Sequence, residues 1–197
     1  LSILGLIVVW FLVSNSKPDF FPTPMATIER FIKLIEKPVM KISILGHIFA
    51  SLKRVMLALI AAIILGVGIG LVMGWNKKVR AAINPILMAL RPIPPIAWIL
   101  LIILLFGIGE FPKVLLVFIG AFFPIVMNTM SGVSLVDDMY LKVGKIYKAN
   151  TGQMLRHVVF PAAMPAILAG IKIAISSGWM VVVAAEMLSS KSGLGFL

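Results

Sequence analysis

Four long apolar runs decide what this chain can be. Residues 55–74, 81–106, 111–133 and 161–188 each reach the roughly 20 residues that a helix needs to cross a bilayer. A shorter apolar run over 1–13 precedes them. Apolarity within the runs is continuous and does not alternate with period two, which excludes barrel strands of about 10 residues with polar lumen positions. Composition agrees: 61% of the 197 residues are apolar and 13% charged, against about 45–50% and about 25% in soluble domains. The fold class that follows is an all-α integral membrane protein. The opening run has neither the basic leader nor the small-residue cleavage site of a signal peptide. It is read as the visible part of a first span, which makes five.

Eighteen basic residues against seven acidic give a formal charge of +11. The bases lie between the apolar runs, so lipid headgroups or an acidic protein partner are expected, and not nucleic acid. There is no cysteine, which excludes disulfides, thiolate metal sites and a cysteine nucleophile. Segments 75–91 and 131–160 hold bases close to short loops, which favours the cytoplasm for both. Segment 14–54 holds nearly as many, Lys17 and Lys37 among them. Within it Ile28, Phe31, Ile32 and Ile35 share one face of a helix that starts after Pro24 and stops before Pro38. That pattern predicts an amphipathic helix lying on a membrane surface.

Several motifs resolve into packing. "GVGIGLVMG" carries Gly66, Gly70 and Gly74 inside an apolar run, a small-xxx-small spacing that lets a second helix approach closely. No strand precedes it, as a dinucleotide site would need, and no Gly-x-x-x-x-Gly-Lys-Ser/Thr loop occurs in the chain, so ATP would have to be bound elsewhere. Asp137 and Asp138 are adjacent and cannot face each other on a helix; capping a helix that begins near Met139 explains them. His47 and His157 lack ligand spacing to carboxylates, so no metal site is expected. Nothing carries an enzyme reading.

Two features stay open on the residues alone. Pro92, Pro94 and Pro95 in "RPIPPIAW" mark either a junction at the headgroups or broken backbone against a cavity at membrane depth. Lys172 and Glu186 lie within the last run. Each is either functional or merely reaching for the interface.

"KVGKIYKANTGQMLRHVVFPAAMP" (142–165) is polar where its surroundings are not. Val143, Ile146 and Tyr147 form an apolar stripe, and Lys142, Lys145 and Lys148 a basic one. After a break at "ANTG", Gln153, Arg156 and His157 share a face. Such a segment is either an ordinary solvated loop or a docking surface.

Residues 142–174 resemble the coupling segment of ATP-binding-cassette importer permeases, where Glu-Ala-Ala is followed by three residues, a Gly, and a Pro about thirteen residues on. "ASLKRVMLALIAAIILGVGIGLVMGW", "LRPIPPIAWILLIILLFGIGEFPKVLLVFIGAFFPIVMNTMSGV" and "SSGWMVVVAAEMLSSKSGLGFL" are similar to the branch that moves nitrate, sulfonates, taurine or bicarbonate. The resemblance covers about residues 20 to 197. Lys142, Val143 and Gly144 stand where Glu-Ala-Ala is usual, and Lys148 where the Gly is usual, so Asn150 or Gly152 is expected to make the turn instead.

The resemblance implies a type I importer transmembrane domain with five visible spans of an expected six and cytoplasmic coupling helices. Its parts are a first span and surface segment over 1–54 and a permease core over 55–197, with the coupling segment at 137–160 and a last span expected beyond Leu197. Lys142, Lys145, Lys148, Asn150, Thr151, Gln153, Met154, Arg156 and His157 are expected to meet an ATPase. Trp98, Asn128, Trp179 and Glu186 are the candidates for a pathway or gate. Implied partners are a second permease copy forming a homodimer, two cytoplasmic ATPases that hold ATP and Mg, an extracytoplasmic substrate-binding protein, and the lipid of a bacterial inner membrane. The chain itself holds no cofactor. Rival readings are a secondary transporter, a non-transporting scaffold, and, for the substrate, a neutral vitamin or its precursor.

Overall fold

A computed structural model describes residues 2–16, 21–36, 38–189 and 191–197. Leu1, Lys17 and Lys37, which enter the sequence reading, lie outside the described residues. The described helices are α1 (Ser2–Ser16), α2 (Pro24–Glu36), α3 (Ile44–Trp75), α4 (Lys77–Leu90), α5 (Trp98–Phe106), α6 (Glu110–Ser134), α7 (Asp138–Ile146), α8 (Thr151–Met154) and α9 (Phe160–Ser189). Three stretches are long and apolar enough to cross a membrane: Ile44–Trp75, Glu110–Ser134 and Thr151–Leu188. The helix over Leu4–Ser16 is shorter.

The amphipathic α2 starts at Pro24 and presents Ile28, Phe31, Ile32 and Ile35 outward. Between it and α3, Met40 (φ 52°) and Lys41 (φ 65°) make a tight turn in which the Ile42 amide donates to the Val39 carbonyl at 3.0 Å. Two successive positive φ values are the type I′ arrangement. Ser43 then caps α3, its hydroxyl accepting from the Gly46 amide.

α6 is the centre of the bundle, packed along α3 on one side and α9 on the other. The contact is made by small side chains: Ala58 and Ala62 of α3, Ala121 of α6, and Ala174 and Ala185 of α9 are all fully buried. Gly66, Gly70 and Gly74 face Ile125, Thr129 and Val133 of α6. A Cβ at Gly70 would lie 2.6 Å from that of Thr129 and 2.9 Å from the Val126 carbonyl oxygen. Only glycine permits this approach.

Two expectations change here. Residues 81–106 do not make one straight span: Lys77–Leu90 and Pro95–Phe106 meet at 75°. Pro92, Pro94 and Pro95 supply no backbone donors across the bend. The second concerns α3, which begins at Ile44 and runs through the expected 54/55 boundary. Its first eleven residues fall within the 1–54 segment of the sequence reading, and His47, Ser51, Lys53 and Arg54 lower their hydropathy. Three of these side chains are buried inside the bundle.

Candidate functional site

The polar side chains gather in three places. The coupling segment comes first. Asp137 caps α7, its carboxylate accepting from the Met139 amide at 2.8 Å. The turn into α8 is made by Lys148, with φ 53°. Asn150 is extended at φ −72°, and Gly152 sits inside α8. The expectation that Asn150 or Gly152 would replace the missing glycine is therefore corrected: the lysine itself occupies the left-handed conformation, at a cost of about 1–2 kcal/mol. Asn150 does different work, forming a reciprocal cap with Gln153, whose Oε1 accepts from the Asn150 amide at 2.9 Å while Asn150 Oδ1 accepts from the Gln153 amide at 2.8 Å.

Met154, expected on the docking surface, turns inward instead. It is buried beneath α7, where a Cβ at Gly144 would come within 2.6 Å of its sulfur. Lys142, Lys145, Lys148, Asn150, Thr151, Gln153, Arg156 and His157 are exposed, as are Val143, Ile146 and Tyr147. Tyr140, Val143, Gly144, Tyr147, Gln153 and His157 line a groove of about 850 Å³. α8 is not a separate second helix. It passes through a single π turn, Leu155–Val159, directly into α9. Pro161 and Pro165 have no N–H to give to the preceding turn, and a wider turn of this kind is how a helix absorbs such a local mismatch.

The second place is a cleft beside the break after α4. Arg91, Pro95, Met127, Asn128, Ile173 and Ser177 are among its walls, and its volume is about 270 Å³. Pro124 has no N–H for the Gly120 carbonyl four residues before it. The Ser177 hydroxyl of α9 lies 3.1 Å from that oxygen, alongside the Ile173 and Ala174 carbonyls. Asn128 donates to the Pro124 carbonyl at 2.8 Å. Among the four pathway candidates, Asn128 lines this cleft. Trp98 packs on the main core, with no acceptor for its indole N–H among the described residues, and Trp179 is exposed. The structure does not bring the three together.

The third place is at the end of the bundle opposite α7 and α8, and it holds Glu186. This carboxylate is fully buried. Arg54 donates from Nη1 to Glu186 at 2.6 Å and from Nε and Nη2 to both oxygens of Glu110 at 2.6 and 2.7 Å. Its remaining N–H groups reach the carbonyl and hydroxyl of Ser192 at 2.9 and 2.8 Å. Lys113 adds 2.9 Å to Glu110. The tail over 192–195 is held residue by residue. The amides of Gly193, Leu194 and Gly195 donate to His47 Nδ1 (3.0 Å), Ser51 Oγ (2.8 Å) and Glu186 Oε2 (3.0 Å). Because an amide can only donate, His47 Nδ1 accepts, and the ring proton sits on Nε2, 3.3 Å from the Val39 carbonyl. Gly193 takes φ 122° against the Glu186 carboxylate, where a side chain would collide.

The sequence reading singled out Glu186 and missed Arg54, Ser51 and His47. The available signal was their spacing: 47, 51 and 54 are i, i+4 and i+7 on one helical face.

Comparison with known proteins fits this architecture. Residues 62–197 match the family described as binding-protein-dependent transport system inner membrane component. The taurine transport system permease protein of Escherichia coli is 36% identical over 196 residues, covering 98% of this chain and 71% of that protein. The nitrate import permease protein of Synechocystis sp. is 35% identical over 200 residues, covering 99% and 73%. The bicarbonate transport system permease protein of Synechococcus elongatus is 32% identical over 203 residues, covering 99% and 73%.

Proposed function

Because the chain belongs to the binding-protein-dependent inner membrane transport components, we propose that it carries a small anion through a pathway formed with a second copy of itself, driven from its 137–160 segment. As a member, it is a multi-pass inner membrane permease subunit of an ATP-binding-cassette importer. It is not an enzyme: ATP hydrolysis belongs to a separate ATPase subunit, and a substrate-binding protein completes the assembly. Membership sets aside the secondary transporter and scaffold readings. The anion is inferred from what the relatives carry, namely taurine, nitrate and bicarbonate. Uptake of a neutral vitamin precursor with none of these anions carried would overturn it.

The observation that supports the docking role is the exposed stripe of Val143, Ile146 and Tyr147 beside a groove and a basic rim. Apolar side chains this exposed at a helix pair need a partner to cover them. ATP and Mg would reside on that partner. Closure of two ATPases would push α8, and α8 is continuous with α9. The push would therefore enter the last span directly, as in rigid-body alternating access.

The test is Gln153→Glu combined with Arg156→Glu in the full transporter. Glu at position 153 keeps the reciprocal cap with Asn150, so the fold is preserved while the positive charge of the surface is largely removed. Substrate-stimulated ATP hydrolysis is expected to fall at least tenfold with membrane insertion unchanged. Unchanged transport would remove the docking role.

A further inference from the structure

The cleft at the helix break holds a cation that the fold does not use. Arg91 follows the last residue of α4 and is one of the residues lining the cleft, and its guanidinium makes no hydrogen bond or ion pair to any described residue. Arg54, by contrast, spends all five of its N–H groups on protein acceptors. Arg80 is also occupied, capping the end of α3 through the Met73 and Gly74 carbonyls and reaching Ser134.

Arg91 is exposed to the cleft and not packed in the core, and its place corrects the sequence reading, which grouped it with the cytoplasmic bases of 75–91. The cleft's α6 wall includes Gly120 and Asn128, ten and eighteen residues in from Glu110, and its α9 wall includes Ile173 and Ser177 in the middle of Phe160–Ser189. This is membrane depth, where a cation facing hydrocarbon is disfavoured and ionisable groups line water-filled routes. The break keeps it there. Pro95 lies against Gly120, 3.4 Å from where a Cβ would be, so the backbone after Arg91 is wedged onto α6.

Resting on the reading that the substrate is a small anion, we infer that this cleft is an oxyanion site, with the Arg91 guanidinium as its charge and the Asn128 side chain as its neutral polar contact. A guanidinium offers a planar fork of donors to two oxygens of one anion. A sulfonate, nitrate or bicarbonate presents such a pair. The cleft, at about 270 Å³, suits a solute smaller than those taken by ordinary ligand pockets of about 300–1,000 Å³. Its polar groups are few, which suits a site that must release what it binds. Arg91 thus selects for charge, and the binding protein selects among anions.

These 197 residues contain no cysteine, and the assembled transporter without an introduced cysteine serves as the labelling background. Asn128→Cys in the assembled transporter is labelled with two methanethiosulfonate reagents of similar size, one ending in sulfonate and the other in trimethylammonium. The sulfonate reagent is expected to react on the order of tenfold faster, and Arg91→Gln should abolish that preference while Arg91→Lys retains much of it. Ile173→Cys, on the opposite wall, should behave alike and guards against a local effect at 128. Equal rates with both reagents, no labelling at either position, or a sulfonate preference that survives Arg91→Gln would overturn the inference. The outcome is separate from the substrate reading. Failure to carry taurine, nitrate and bicarbonate, with the labelling preference intact, would sink the named substrates and leave the oxyanion site standing.

Discussion

Arg54 is a single side chain on which three helices and the tail depend. Its partners Glu110, Glu186 and Ser192 come from α6, α9 and the segment after α9. With Lys113 the cluster holds two cations and two carboxylates, so it is formally neutral. Removing Arg54 strands the buried Glu186 carboxylate, a loss that typically costs about 3–5 kcal/mol, whereas replacing a buried pair by apolar groups is often nearly neutral. Arg54→Leu is therefore expected to lower the thermal midpoint of the detergent-solubilised protein strongly. Arg54→Leu with Glu186→Leu should recover much of the loss. A double variant no better than the single one would show that Glu186 is not what makes Arg54 costly to remove. Lys148 offers the opposite case, a residue the fold tolerates at a penalty. Lys148→Gly is expected to stabilise the protein by up to about 1 kcal/mol, the left-handed penalty less the entropy that glycine loses on folding. A lower midpoint in that variant would mean that the lysine side chain contributes more than its backbone costs.

At the scale of elements, the α3–α6 contact can be tested within one helix. Gly66, Gly70 and Gly74 sit against α6, while a Cβ at Gly68 would meet nothing within 4 Å. Gly66→Leu with Gly70→Leu should prevent close approach and lose folded protein, as measured by monodisperse yield and midpoint. Gly68→Leu should be tolerated or slightly stabilising, since it removes a helix-interior glycine. Equal damage from both changes would place the effect outside the contact. The glycine stripe was legible in the sequence because its period matches one helical face, and the apolar runs were legible because lipid-facing helices are apolar all round. The start of α3 was not. Hydropathy averages a window, and His47, Ser51 and Arg54 lower the average although they point inward to partners more than fifty residues away. The bend after α4 was half legible: the prolines were plain, but whether they break a span or precede one depends on Gly120 accepting Pro95. The use of Lys148 for the turn was hidden for a similar reason, since propensity argues against a lysine there and only the α7–α8 packing requires it.

For the whole molecule, α8, the π turn and α9 form one continuous stretch, Thr151–Leu188. Thirty-eight residues of helix span about 57 Å, so the same rod carries the segment proposed to meet the ATPase at one end and Glu186 at the other. A push on one end moves the other usefully only if the far end is tied to the rest of the bundle. Ser51 and Arg54 of α3 and the amide of Gly195 make that tie. Loosening it should let α9 move without carrying α3, and ATP hydrolysis should then continue with less transport. Glu186→Gln keeps the hydrogen bonds of the carboxylate in part and loses its charge, so a modest fall in the number of substrate molecules moved per ATP is expected. Glu186→Leu loses both, and the ratio should drop tenfold or more in reconstituted vesicles while the transporter still assembles. The sign of the comparison matters. If hydrolysis and transport fell together in Glu186→Leu, the carboxylate would be holding the fold alone; if neither fell, α9 would have to be anchored through its contacts with α6.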